Sequence, residues 1–443
     1  MPTKALVVGM KLSGMASAEL LVRQGADVRV TDLKPLAALG PAEELVKRLG
    51  IRFAQQTDAV FEDAGLIVLS PDVPADLPAL ERARLRGARV IGEVELAAPF
   101  LQGRTIGITG SNGKTTTTSL IGHILRGAGM AVQVGGNIGT PVTAMIVGSR
   151  TDGWNVLELS SFQLETIAEF RADIGLALNV TQNHLDRHHT FENYAAAKRR
   201  LFETMTASGC AVLNAEDPVC ASFAKHTAAE VRWFSGARPV EPGAYRQSDE
   251  LVLDGRPLMG AGETPLRGAH NVENVLAAAV AAARAGVSHA QIAAAVKTFH
   301  AVEHRLEFVR RIDGIDFYND SKATSVDAAL KALDAFAGGL WVILGGKDKG
   351  LDYAPLRAPL AAKAHAALLI GAAAGKIAAA LAGAVSLVEA GTLEHAVRTA
   401  YARSQPGDTV LLAPACASFD QFRSFEHRGE TFKEIVGKLQ AGS

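Results

Sequence analysis

Residues 104–120 read RTIGITGSNGKTTTTSL, an apolar run that breaks into glycines, a lysine and four threonines. A cation, hydroxyls and bare backbone gathered at the mouth of a helix form a cradle for phosphate, because free N–H groups point outward there and glycine lets the anion approach. The run is shorter than G-x-x-x-x-G-K-[ST], since Ile108 stands where the first glycine would be. The remaining parts fit: a turn of Gly110, Ser111, Asn112 and Gly113, Lys114 for the β- and γ-phosphates, and the Thr115 hydroxyl for Mg²⁺, with Thr116 behind it.

Phosphoryl transfer needs metal ligands beyond the loop. NVLELSSFQLE places Glu158 between Leu157 and Leu159 inside a buried strand. A carboxylate there is costly unless paired or metal-bound, so Glu158 reads as a Mg²⁺ ligand. LNVTQNHLDRHHTFENY gathers His184, Asp186, Arg187, His188 and His189. Each lone histidine is more often a solvated loop residue. His184 stands out because it follows a strand end, where open α/β sheets bind ligands.

A second glycine loop opens the chain in VVGMKLSGMA. The dinucleotide fingerprint G-x-G-x-x-G would need glycine at Lys11, so a NAD-dependent dehydrogenase is disfavoured. Two readings remain open. One is a βα turn without a ligand. The other is a nucleotide-diphosphate site built from Lys11, Leu12 and Ser13, with Asp32 at the end of the next strand to accept hydrogen bonds from a ribose or base.

The elements that must position these groups alternate between short β-branched runs and Ala-rich helical patterns, the signature of α/β layers. Three domains are expected: residues 1–93, Rossmann-like; 94–301, P-loop ATPase-like; and 302–443, again Rossmann-like. The stretch 231–268 is Gly- and Pro-rich with short strands and reads as an irregular insert, and AVEHRLE near residue 300 reads as a hinge. At 443 residues, with 48% hydrophobic and 21% charged residues, well-packed multidomain structure is expected. A formal net charge of −1 gives no support to a nucleic-acid-binding surface. Three scattered cysteines make no disulfide framework. The N-terminus enters a strand pattern at once, and Lys376 interrupts the most apolar late stretch. The chain therefore reads as cytoplasmic, with no membrane insertion.

TGSNGKTT and NVTQNHLDRH resemble motifs of the Mur ligase family, the ATP-dependent amide-forming enzymes of peptidoglycan precursor synthesis, and of its folylpolyglutamate synthetase relatives. LELSSFQLE, NDSKAT and APACASFDQFRSFEHRG resemble the branch of the family that adds glutamate as the second stem-peptide residue. The resemblance covers the whole chain. It implies ATP and two Mg²⁺ ions as cofactors, UDP-N-acetylmuramoyl-L-alanine and glutamate as substrates, and a monomer. It also implies roles for single residues. Lys114 and Thr115 would hold the ATP phosphates and Mg²⁺, with Glu158 a second ligand of that ion. Asn137 would contact the UDP-sugar. His184 would bind a second Mg²⁺ with Lys198, which is carbamylated in the family; read without the resemblance, Lys198 is surface charge. Asn271 and Asn274 would lie near the adenine or ribose, and Arg305 and Asp320 would close over ATP. Lys322, Thr324, Lys349, Ser418 and Phe425 would form the amino-acid pocket, a composition apt for an anionic diacid.

The chain departs from the family pattern at Lys11, at Leu33 and Lys34 where polar and Arg residues often meet uracil, and at Ser325 where asparagine is common. The implied reaction passes the γ-phosphoryl group of ATP to a carboxylate, and the amine of glutamate attacks the acyl phosphate, releasing ADP and phosphate. Glutamate of either hand, a folylpolyglutamate-type ligase and a catalytically dead nucleotide-binding regulator stay open as alternatives. The UDP-site-like first domain speaks against the folyl reading, and the joint presence of Lys114, Glu158, His184 and Lys198 against the regulator.

Overall fold

The computed structural model describes residues 3–266, 268–299 and 303–440. Backbone contacts divide the chain into two compact units, Met1–Glu263 with Glu273–Lys297, and Thr264–Val272 with Thr298–Ser443. The expected domain boundary at 301/302 and the first two residues of the expected hinge lie outside the described residues.

The first unit holds two sheets. Strands β1 (Lys4–Val8), β2 (Asp27–Asp32), β3 (Arg52–Gln55), β4 (Leu66–Leu69) and β5 (Arg89–Gly92) are all parallel, in the order β3-β2-β1-β4-β5. Reversal of strand order beside β1 puts the loop after it at a topological switch point, where such sheets take ligands. Helix Leu12–Arg23 packs tightly behind that loop: a Cβ on Gly14 would lie 1.8 Å from the Gly9 carbonyl oxygen.

The second sheet contains β6 (Arg104–Thr109), β7 (Val132–Gly136), β8 (Trp154–Glu158), β9 (Ile174–Ala177), β10 (Cys210–Asn214), β11 (Glu230–Ser235), β12 (Gly243–Gln247), β13 (Glu250–Leu253) and β14 (Arg256–Gly260). Their order is β14-β13-β12-β11-β10-β9-β6-β8-β7. β6, β8, β9 and β10 are apolar runs buried along nearly their whole length, as parallel strands covered on both faces must be. The short strands expected in the Gly- and Pro-rich insert are found, in a more regular arrangement than an irregular insert: β12, β13 and β14 extend the sheet as an antiparallel meander. Asp254 and Gly255 both take positive φ between β13 and β14, the Asp-Gly chemistry of a tight hairpin turn.

The second unit is built on β15 (Glu307–Ile312), β16 (Ile315–Asn319), β17 (Leu340–Gly345), β18 (Ala364–Ile370), β19 (Ser386–Gly391) and β20 (Thr409–Leu412), in the order β15-β16-β20-β17-β18-β19. Only β15 runs antiparallel to its neighbour. Apolar clusters fill both faces of this sheet, one around Val342 and Leu344, the other around Phe317 and Ile343. Among the described residues no helix is long and apolar enough to cross a membrane.

Candidate active site

The phosphate-type loop joins β6 to helix Lys114–Gly127. Gly113 caps that helix at φ +84°, and a Cβ there would lie 2.4 Å from Asn274 Oδ1. Glycine thus serves two needs, left-handed backbone and close approach of the buried Asn274 side chain. The Lys114 ammonium folds over the loop and donates to the carbonyl oxygens of Gly110 (2.8 Å) and Ser111 (3.1 Å). Thr115 and Thr116 are buried in the first helical turn. Ser111 accepts the Thr181 N–H and hydrogen-bonds the buried Tyr194 hydroxyl at 2.9 Å, and Asn112 N–H donates to Asn179 Oδ1. The loop is therefore held from behind by the segment after β9.

Glu158 ends β8 beside β6 and is buried. One carboxylate oxygen accepts from Asn137 Nδ2 at 2.9 Å, and the other has no hydrogen-bond partner. A buried carboxylate oxygen left unsatisfied suits a divalent cation. No group of three or more His, Cys, Asp or Glu able to hold a metal occurs among the described residues. A single buried carboxylate beside a phosphate loop nevertheless fits Mg²⁺, which takes one or two carboxylates and completes its shell with phosphate oxygens and water.

Lys198, expected as surface charge from sequence, is buried on helix Phe191–Glu203. Its Nζ donates to the same Gly110 carbonyl at 2.9 Å and lies 4.6 Å from the Tyr194 ring centroid. Burial, and then the neighbouring Lys114 charge, push this amine well below its usual pKa. The helix's own periodicity carried the signal: Tyr194, Ala197, Leu201 and Phe202 form its buried stripe, and Lys198 falls inside it. His184 is exposed at φ +52°, at the start of helix Leu185–His188, with its ring edge-on to Phe162 at 4.9 Å. His188 is instead a core residue. It contacts Ser161 Oγ at 3.0 Å and Glu165 at 3.1 Å, and burial lowers its pKa to about 4.

A cavity of about 420 Å³ lies beside His188, bordered by Arg187 and Glu165, and a larger one of about 580 Å³ lies at the first glycine loop. The larger is lined by Lys11, Leu12, Ser13 and Lys34 from the N-terminal sheet and by Asn137 and Gln163 from the second. Lys11 is exposed and ion-paired to Asp72 at 2.5 Å. Both Asp32 oxygens accept backbone N–H groups, from Met10 and Lys34, so this carboxylate ties the two loops together. Leu33 is exposed and does not line the cavity.

In the second unit Asp320 is buried and Lys322, Thr324 and Phe425 are half-buried. Burial pushes Asp320 up to about 6, opposed by the Arg305 and Lys322 charges. The Lys322 ammonium sits 5.7 Å over the Phe425 ring, and Lys349 reaches the Thr324 carbonyl at 3.3 Å. Ser418 is buried, a short way before helix Phe425–Gly437 in the chain. Ser325 accepts the Ala328 N–H as the N-cap of helix Val326–Asp334. Serine and asparagine cap helices equally well, so this departure keeps its local function. Asn271 and Asn274 lie one turn apart on helix Ala269–Arg284, Asn271 falling in the second unit and Asn274 in the first.

Models of the Mur ligase MurD-like N-terminal domain, the Mur ligase middle domain and the Mur ligase glutamate ligase domain match residues 3–92, 108–282 and 304–416. A UDP-N-acetylmuramoylalanine--D-glutamate ligase of Solibacter usitatus is 74% identical over 99% of this chain and 98% of that relative. The protein of the same name from Acidobacterium capsulatum is 51% identical over 98% and 96%. Among solved structures, the UDP-N-acetylmuramate-alanine ligase of Thermotoga maritima shares the fold at TM-score 0.62 and 18% identity, over 99% of this chain and all of that one. A pseudomurein peptide ligase of Methanothermus fervidus does so at 0.61 and 20%. With three domain models in order along its length and full-length relatives at this identity, the chain belongs to the Mur ligase family.

Proposed function

We propose that the protein joins D-glutamate to UDP-N-acetylmuramoyl-L-alanine at the expense of ATP, as the name of its 74% identical relative states for that protein. The observation that carries the chemistry is the set Lys114, Lys198 and Glu158 gathered around one glycine loop, with an unsatisfied carboxylate oxygen on Glu158. Residues 110–116 hold the ATP phosphates through backbone N–H groups and the Lys114 cation. Asn274 steadies the loop, and Asn271, Arg305 and Asp320 serve the nucleotide. The UDP-sugar occupies the cavity of Lys11, Leu12, Ser13 and Asn137, with Asp32 holding its loops in register. Lys322, Thr324, Lys349, Ser418 and Phe425 take the incoming amino acid.

Thr115, Glu158, His184 and Lys198 hold the metal sites, and Mg²⁺ bound there supplies neutralisation of charge on the transferring phosphoryl group. The depressed pKa of Lys198 supports its carbamylation, since a carbamate forms from the neutral amine and presents oxygen donors. Transfer of the γ-phosphoryl group breaks its bond to ADP and forms one to the substrate carboxylate. The glutamate amine then attacks the carbonyl carbon, loses a proton, and phosphate leaves as the amide forms.

The test is ligation with UDP-N-acetylmuramoyl-L-alanine against a panel of D- and L-amino acids. D-glutamate alone should give ATP-dependent product. Product with L-glutamate, or with a folate substrate in place of the UDP-sugar, would overturn the assignment. Mass spectrometry of the native protein should find the added CO₂ on Lys198, and a fully active enzyme with a bare amine would remove that part.

A further inference from the structure

Arg428, on helix Phe425–Gly437, has no exposed surface, yet among the described residues it makes no ion pair. Its hydrogen bonds go to neutral oxygens: Nε to Ser321 Oγ (2.9 Å), Nη2 to the carbonyls of Ser321 (2.8 Å) and Cys416 (3.2 Å), and Nη1 to the Ala417 carbonyl (3.4 Å). Ser321 Oγ in turn donates to the Phe425 carbonyl at 2.8 Å. Burial lowers the guanidinium only to about 10, so it stays charged at neutral pH. An apolar residue of similar volume would fill this space without the desolvation cost of a buried cation that makes no ion pair, the Asp420 charge acting on it only from beyond contact. Stability alone therefore does not account for arginine here.

What the fork joins is more telling. Ser321 directly precedes Lys322 in the loop after β16, and Cys416 and Ala417 directly precede Ser418 in the loop after β20. Three guanidinium nitrogens in one rigid plane span both loops and fix their spacing and rotation. A lysine ammonium, a single nitrogen, holds the charge without bridging the pair. We infer that Arg428 is a positioning residue for the amino-acid subsite, setting the separation of its two walls through Ser321 and residues 416–417. This rests on the reading of Lys322, Lys349 and Ser418 as that subsite.

Steady-state kinetics of the full chain test it with three variants. Arg428→Lys should raise the KM for D-glutamate about tenfold or more, change kcat less than about threefold and leave the KM for the UDP-sugar substrate unchanged. A role in folding alone would instead lower the active fraction, and so kcat, at constant KM. Ser321→Ala, which loses one bond of the fork and keeps the cation, should show the same pattern at a few-fold, and it decides the matter if Arg428→Lys does not fold. Lys349→Ala separates the two levels of inference. If it raises the D-glutamate KM while Arg428→Lys and Ser321→Ala do not, the positioning role is wrong and the subsite stands. If none of the three moves that KM, the subsite reading itself falls.

Discussion

At the scale of single residues, Lys114 and Glu158 differ in what the site asks of them. Lys114 is a cation resting on two carbonyls of its own loop, so its removal should spare the fold. Lys114→Ala is expected to lose about 10³-fold or more in kcat, because its charge meets charge that develops during transfer. Near-normal turnover in the folded variant would refute the assignment. Asp320 gives a pH-dependent counterpart. Its folded-state pKa of about 6 lies above that of an exposed aspartate, so the native protein binds this proton more tightly than the unfolded chain. The buried carboxylate therefore costs stability above about pH 6, and that cost is relieved as acid protonates it. If the anion serves ATP, kcat/KM for ATP should fall with acid below about pH 6, and Asp320→Asn should remove that limb from the profile. Lys11 pairs with Asp72 across the mouth of the larger cavity. Lys11→Gly is expected to change the KM for the UDP-sugar more than kcat, the mark of uniform binding. Identical KM values and salt dependence would leave Lys11 as a surface residue.

Among the elements, the short helix Glu93–Ala97 links the two sheets of the first unit through buried carboxylates. Glu95 accepts the N–H groups of Ala168, Glu169 and Phe170, and Glu93 accepts the N–H and hydroxyl of Thr143. Glu95→Ala would strand three N–H donors and should cost about 3 kcal/mol or more, measured by denaturant unfolding. A change below about 0.5 kcal/mol, the range of ordinary surface substitutions, would show the loop to be held by other means. Neither residue stands out in sequence, since nothing local in GEVELA marks its carboxylates as buried. The phosphate loop was legible because its chemistry is local: strand, glycine turn, lysine and threonine follow one another. Lys198 was legible only through the family resemblance; the buried stripe it shares with Tyr194 and Leu201 could have marked it, but its charge disguises that pattern. Arg428 carried no local signal, because its partners lie about ten and more than a hundred residues away. Short strands after β11 were legible, but their pairing into a meander was not, because Gly and Pro there serve as turns rather than as breaks in order.

On the scale of the whole molecule, the βα rhythm announced α/β layers around parallel sheets, and the described residues form three sheets, the first wholly parallel and the other two with antiparallel strands at one edge, in orders that sequence spacing alone does not specify. The residues proposed for catalysis divide between two compact units, the phosphate loop in one and the amino-acid subsite in the other. The central claim is that the carboxylate is activated by phosphoryl transfer. The measurement that meets it most directly is turnover with UDP-N-acetylmuramoyl-L-alanine carrying ¹⁸O in its carboxylate, followed by mass analysis of the phosphate released. An acyl phosphate predicts one carboxylate ¹⁸O in each phosphate formed together with the amide. Phosphate free of label, or label appearing in AMP, would contradict it.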